Sequence, residues 1–141
     1  MFEQSKLMTT NYLLEKGLDV ESLRRKVIAN NIANVDVPHF RRSEVNFESE
    51  LKRVIMDREE KENKLPALMT DGRHIPFFVS RDVTSVRPRI RLDYDTVARN
   101  DGNNVDAEKE MVDAAKNLMR YNAFTTSLNH NFRMLKLAMR P

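Results

Sequence analysis

The sequence predicts a mainly α-helical chain in which long N- and C-terminal helices pair as a coiled coil, with an irregular middle segment containing little β. Three observations carry this. Leu13, Val20, Val27 and Asn34 recur every seven residues near one end. Two heptad rows run through residues 111–139 near the other. The stretch between them is punctuated by Pro66, Gly72, Pro76 and Pro88. A seven-residue repeat places its residues on one stripe of a helix, where a partner helix can meet them, whereas proline and glycine interrupt regular elements. The chain therefore divides into an N-terminal helical segment (1–35), a middle segment (36–105) and a C-terminal helical segment (106–141).

The first helix is expected over about residues 7–34. Leu23 adds an intermediate position between Val20 and Val27. Gly17 interrupts the pattern, at a cost of about 1 kcal/mol relative to alanine. The helix ends in ANNIANVDVPHF, residues 29–40. Asn30 or Asn31, then Asn34, continue the stripe of Leu13, Val20 and Val27, so the stripe turns from apolar to amide. A buried asparagine in a coiled coil costs stability but fixes register, because a misaligned partner leaves its amide unpaired. Pro38 pushes Val37 toward an extended conformation and stops the helix. Asn30, Asn31, Ile32, Asn34 and Pro38 thus read as a register device joined to a helix stop.

A short helix is expected from Phe47 to Met56, with Phe47, Leu51, Val54 and Ile55 on one side. The charge run DREEKENK that follows has no apolar anchor and reads as a solvated loop or frayed helix. Ile90, Leu92 and Tyr94 alternate with Arg89, Arg91 and Asp93, which suggests one short strand. Asp106 is the expected N-cap of the last helix, with Glu108 and Glu110 placed to favour its positive end. In that helix Met111, Leu118, Thr125, Phe132 and Met139 form one row, and Ala114, Tyr121, Leu128 and Leu135 the other. A helix from Asp106 to Arg140 would be roughly 50 Å long, too long to lie within a small domain without projecting or pairing.

Composition narrows the function. Hydrophobic residues make up 40% of the chain and mean hydropathy is −0.60. That is thin for a closed core, so apolar surface is expected to be buried along extended helices or between chains. The net charge of +3 comes from interspersed signs rather than a basic block, which disfavours nucleic-acid binding. There is no cysteine. His39, His74 and His130 lie in separate segments without ligand spacing, so no metal site is expected. No Walker loop, GxGxxG or GxSxG occurs, and no nucleophile stands beside a base. The reading is a non-enzymatic protein with no cofactor and no small-molecule substrate. The N-terminal MFEQSKLMTTNYLLEKG lacks a continuous apolar stretch and a small-residue cleavage site, so it does not read as a cleaved secretory signal. No apolar run approaches the roughly 18 residues that would span a membrane.

ANNIANVDVPHF resembles the ANNIANxxTPGY signature of bacterial flagellar axial proteins, the family of rod, hook and hook-associated subunits. Seven consecutive residues, ANNIANV, carry the likeness. Val37 stands where that family prefers threonine, and His39-Phe40 where it has Gly-Tyr. A length of 141 residues leaves no room for the large inserted domains of hook and distal-rod members, which points to the small proximal rod subunits. DGNNVDAEKEM (101–111), AKNLMRYNA (115–123), TDGRHI (70–75) and the final FRMLKLAM are similar to the B type among them. The resemblance implies a structural subunit of the flagellar basal body. It would polymerise through its terminal helices into a torque-transmitting rod across the periplasm, and be exported by the flagellar type III apparatus without a cleaved signal. Implied partners are itself, the C-, F- and G-type rod subunits, the rod-to-ring adaptor, the membrane-ring protein and the export apparatus. Leu13, Val20, Val27, Met111, Leu118, Tyr121, Leu128, Phe132 and Leu135 are the expected assembly stripe. Two other readings fit the residues alone: a coiled-coil adaptor that does not polymerise, and a basic helical nucleic-acid-binding protein.

Overall fold

The computed structural model describes residues 6–63, 71, 73, 82–95 and 100–139, the side chains of 6 and 58–63 apart. The expected TDGRHI segment and His74 therefore lie largely outside the described residues. The chain forms two compact units, Met1–Val45 with Ile90–Pro141, and Asn46–Arg89.

The first unit is a helical hairpin closed by the two ends of the chain. Helix α1 spans Lys6–Ala33. It starts and ends within one residue of the span expected from its heptads. The long C-terminal helix runs Ala107–Ala138 and is labelled α3 below, since α2 lies between the two in sequence. Asp106 caps α3, its carboxylate accepting from the backbone N–H groups of Glu108 (3.0 Å) and Lys109 (3.3 Å). That satisfies donors a helix start leaves orphaned. The two helices run antiparallel, because Asn11 bonds Asn131, Glu21 bonds Asn117 and Asn31 bonds Glu110.

Which face of α3 makes this seam differs from the expectation. The half-buried residues Ala114, Tyr121, Leu128 and Leu135 do line it. Their partner row is Glu110, Asn117, Phe124 and Asn131, not Met111, Leu118, Thr125, Phe132 and Met139. Met111, Leu118, Phe132 and Met139 are 61%, 53%, 50% and 75% exposed. Apolarity misled the choice of row, because a row three residues before the second and a row four before it fit the heptad spacing equally, and the true one holds three hydrogen-bonded polar residues beside Phe124. Thr125 is half-buried and satisfies its hydroxyl on the Tyr121 carbonyl (2.9 Å), as threonine does within helices.

Gly17 has a packing reason. A Cβ built there would lie 2.9 Å from Phe124 Cε2. The glycine lets the ring cross α1 at close range, which offsets its low helix propensity.

A two-stranded sheet pairs β1, Ser43–Asn46, with β2, Arg89–Leu92. It is antiparallel, since the Asp93 N–H beyond β2 donates to the Arg42 carbonyl before β1 (2.8 Å). The alternation of residues 89–94 predicted β2. Its partner β1 is four residues long and mostly polar, and gave no pattern to read.

In the second unit α2 spans Glu48–Asn63. The charge run after Met56 is helical to Asn63, so of the two expected alternatives, solvated loop or frayed helix, the run takes the helical one, and α2 extends past the expected end at Met56. Glu, Lys and Arg are strong helix formers, and neither glycine nor proline occurs before Pro66. Among the described residues of this unit, Phe47, Val54 and Val86 are the buried apolar ones. Val86 follows a short 3-10 turn, Val83–Ser85, capped by Asp82.

Candidate functional site

The asparagine-rich end of α1 is the centre of a polar clasp. Asn31 is buried and faces α3. Its side chain acts as a stretch of backbone would: Nδ2 donates to the Ser43 carbonyl (2.9 Å) and Oδ1 accepts from the Ser43 N–H (3.0 Å). Nδ2 also reaches Glu110 Oε2 (3.1 Å). Glu110 is fully buried, and its other oxygen accepts from Arg42 Nε. Arg42 pairs further with Glu44 and lies 3.6 Å from Asp113. Burial alone would lower the Arg42 pKa, but the hydrogen bonds and charges of Glu110 and Glu44 outweigh it and hold the guanidinium above its usual range. A buried ion pair of this kind adds little net stability, yet leaves a costly orphan when one partner is removed.

Two further asparagines complete the clasp from the other end of the chain. Asn103 is buried in the turn before α3. Its Nδ2 lies 3.0, 3.0 and 2.9 Å from the carbonyls of Asn34, Val35 and Val37. These carbonyls lie in the turn just past α1, where those of Asn34 and Val37 also accept from the backbone N–H groups of Val37 (3.1 Å) and Phe40 (3.3 Å). Asn104 Oδ1 accepts from the Arg42 N–H (2.6 Å), and its Nδ2 donates to the Asp93 carbonyl (2.8 Å). The turn after α1 is thus tied to the turn before α3. At their contact His39 adopts φ +60° and Gly102 φ +79°. A left-handed conformation is uncommon for a non-glycine residue. Here the His39 N–H donates to the Asp101 carbonyl (3.2 Å). The imidazole fills the space beside Gly102, where an added Cβ would stand 2.9 Å from Nδ1.

Farther along the seam, Glu21 is buried between Arg24 (2.5 Å) and Asn117 Nδ2 (2.5 Å), and Asn117 Nδ2 also meets the Glu21 carbonyl (2.9 Å). Arg25 lies over the Tyr121 ring at 4.9 Å. Asn131 donates to Asn11 Oδ1 (2.8 Å). Amide and carboxylate rungs therefore set the register of α1 on α3 along its length.

A family model described as flagella basal body rod protein matches residues 12–41, which cover the seam of α1 and the asparagine turn. The flagellar basal body rod protein FlgB of Borrelia hermsii is 40% identical over 91% of this chain and 93% of its own length. The FlgB of Bacillus subtilis is 35% identical over 89% of each, and that of Salmonella typhimurium 31% identical over 81% of this chain and 80% of its own. The chain belongs to the FlgB family of flagellar basal body rod proteins.

The left-handed His39 has a bearing on this FlgB-family chain. It occupies the position of the glycine in the axial-protein signature, and it keeps the backbone conformation glycine would favour. Of the expected register residues, Asn31 alone is a rung between the helices. Asn30 faces solvent, Ile32 is half-buried and Pro38 is exposed. Asn34 lies past the end of α1 and folds back, donating to the Asn30 carbonyl (2.7 Å) and Oδ1 (2.6 Å). Of the expected stripe, Val20 and Val27 are buried in the seam, and Leu13, Tyr121, Leu128 and Leu135 are half-buried. Met111, Leu118 and Phe132 face outward. Arg42, Asn103, Asn104, Glu110 and Asn117 were not among the expected residues. A signal for two of them existed: Glu110 and Asn117 stand seven apart in step with Phe124 and Asn131.

Proposed function

We propose that this chain is a structural subunit of the proximal flagellar rod, which polymerises through its terminal helices to help form a torque-transmitting shaft. Family membership carries the reading, and the distribution of polarity supports it. The inner seam is closed by specific polar contacts, while an apolar row of α3 is left outward. A row of large exposed apolar side chains on a long helix marks a surface that another chain covers. Its neighbours are further copies and the C-, F- and G-type rod subunits, with the rod-to-ring adaptor and the membrane-ring protein at the base. The subunit reaches its place, spanning the periplasm, through the flagellar type III export apparatus without a cleaved signal. It does no catalysis and takes no cofactor.

The test is complementation in a strain whose own gene is deleted. Wild-type chain should restore rods and motility. Phe132→Asp or Leu118→Asp should fold normally, since neither side chain is in the seam, and should be exported. Neither should restore rods, because burying an unpaired carboxylate against a neighbour costs several kcal/mol. Motile cells from both variants would overturn α3's outer row as the assembly surface.

A further inference from the structure

Eight methionines occur in the sequence. The six with described side chains, at 8, 56, 111, 119, 134 and 139, are all more than half exposed. Three of them stand on α3 and Met139 is its C-cap. Methionine is an apolar residue, and a chain short of core would ordinarily bury it. Among the described residues the buried apolar set is made up of valines, Ile28 and Phe47, and includes no methionine.

We propose that the α3 methionines are a peroxide-sensitive modification site that controls association of the subunit without touching its fold, an inference that rests on the rod-subunit reading. A thioether sulfur attacks one oxygen of hydrogen peroxide, the O–O bond breaks, and the departing hydroxide takes up the transferred oxygen's proton to leave as water. Sulfur is oxidised by two electrons and the peroxide is reduced. Methionine sulfoxide is polar and chiral, and methionine sulfoxide reductase restores the thioether. Met111 and Met139 mark the two ends of the outward row that also holds Leu118 and Phe132, so a sulfoxide at either end puts a strong dipole on the surface proposed to be covered. The seam rungs carry no sulfur, so the hairpin keeps its register when the row is oxidised. The free chain is the vulnerable form; once the row is covered, peroxide loses access to it.

The experiment treats the purified chain with hydrogen peroxide and locates added oxygen by peptide mass spectrometry. Helical circular dichroism and Tm are followed beside light scattering of self-association. The expected result is oxygen on Met111, Met119, Met134 and Met139, an unchanged Tm, and a concentration for half-association raised about tenfold or more. Reductase should reverse the loss. Met111→Leu with Met139→Leu should associate normally and resist peroxide, and Met111→Gln with Met139→Gln should imitate the oxidised chain and fail to restore rods in the deletion strain. Association unaffected by full oxidation, together with wild-type rods from the glutamine pair, would overturn the inference. So would a Tm that falls with oxidation. Failure of the rod reading itself looks different: there the untreated chain and the leucine pair both fail to associate or to restore rods.

Discussion

The two long faces of α3 depart from the usual arrangement of a soluble helix. Toward α1 it presents the half-buried Ala114, Tyr121, Leu128 and Leu135 together with the mostly polar row Glu110, Asn117, Phe124 and Asn131; outward it presents the exposed Met111, Leu118 and Phe132, with Met139 just past its end. An ordinary amphipathic helix buries its apolar face and solvates its polar one. The difference separates two tasks. Polar rungs buy little affinity but accept one alignment, because a slipped carboxylate or amide loses its partner. The exposed apolar row is the surface we propose a neighbouring chain covers. In that reading alignment is fixed within the chain, and adhesion is left for contacts between chains.

Breaking the inner face should have the largest effect. Glu110→Ala leaves Arg42 buried without its principal partner and should cost about 3–5 kcal/mol in urea unfolding. Arg42→Ala should cost a similar amount. The double variant should cost much less than the sum, since both orphans disappear together. Additive losses would show that the pair does not act as a unit.

A smaller effect is expected at Gly17. Alanine there gains about 1 kcal/mol of helix propensity but meets the Phe124 ring, at a cost of about 1–3 kcal/mol for overpacking. Gly17→Ala should therefore be neutral to destabilising in the wild-type seam. In a Phe124→Leu background it should become favourable. A Tm gain from Gly17→Ala alone would mean that the ring moves aside freely and that this crossing does not constrain the seam.

Asn34→Leu should do least to the isolated chain, within about 0.5 kcal/mol, because its amide bonds are exposed and local. A role for Asn34 in register between subunits remains our proposal. It is sharpened by pairing this stability measurement with rod formation in the deletion strain. A stable variant that assembles poorly would support it, and normal rods would leave Asn34 as a helix stop.

The two long helices, their ends and the Asp106 cap were legible in the sequence, because heptad spacing, Pro38 and the acidic first turn act locally; the start of α2 was too, but not its end at Asn63. So was β2, through its alternation. The seam was half legible. Ala114, Tyr121, Leu128 and Leu135 follow from apolarity, but their partner row is polar, and a rule that seeks apolar stripes passes over Glu110 and Asn117. The clasp was hidden for another reason. Asn31 reads as part of the α1 stripe, yet nothing near it in sequence announces Arg42, Asn103 or Asn104. Polar residues in turns are unremarkable until folding brings two distant turns together, and an asparagine that substitutes for backbone on Ser43 has no signature in one dimension.

The clasp and seam also set the order in which the chain can close. The bonds between Asn31 and Glu110, Glu21 and Asn117, and Asn11 and Asn131 span 79, 96 and 120 residues. A hairpin of neighbouring helices closes through a short loop; this one joins opposite ends of the polypeptide, with a high contact order and a correspondingly slow closure. While the C-terminal third is still withheld, α1 keeps the Asn31–Ser43 bonds but lacks α3, and the ANNIAN turn has no Asn103 to hold it. In the export route proposed above, a chain delivered N-terminus first would lack its seam and clasp until nearly all of it had emerged.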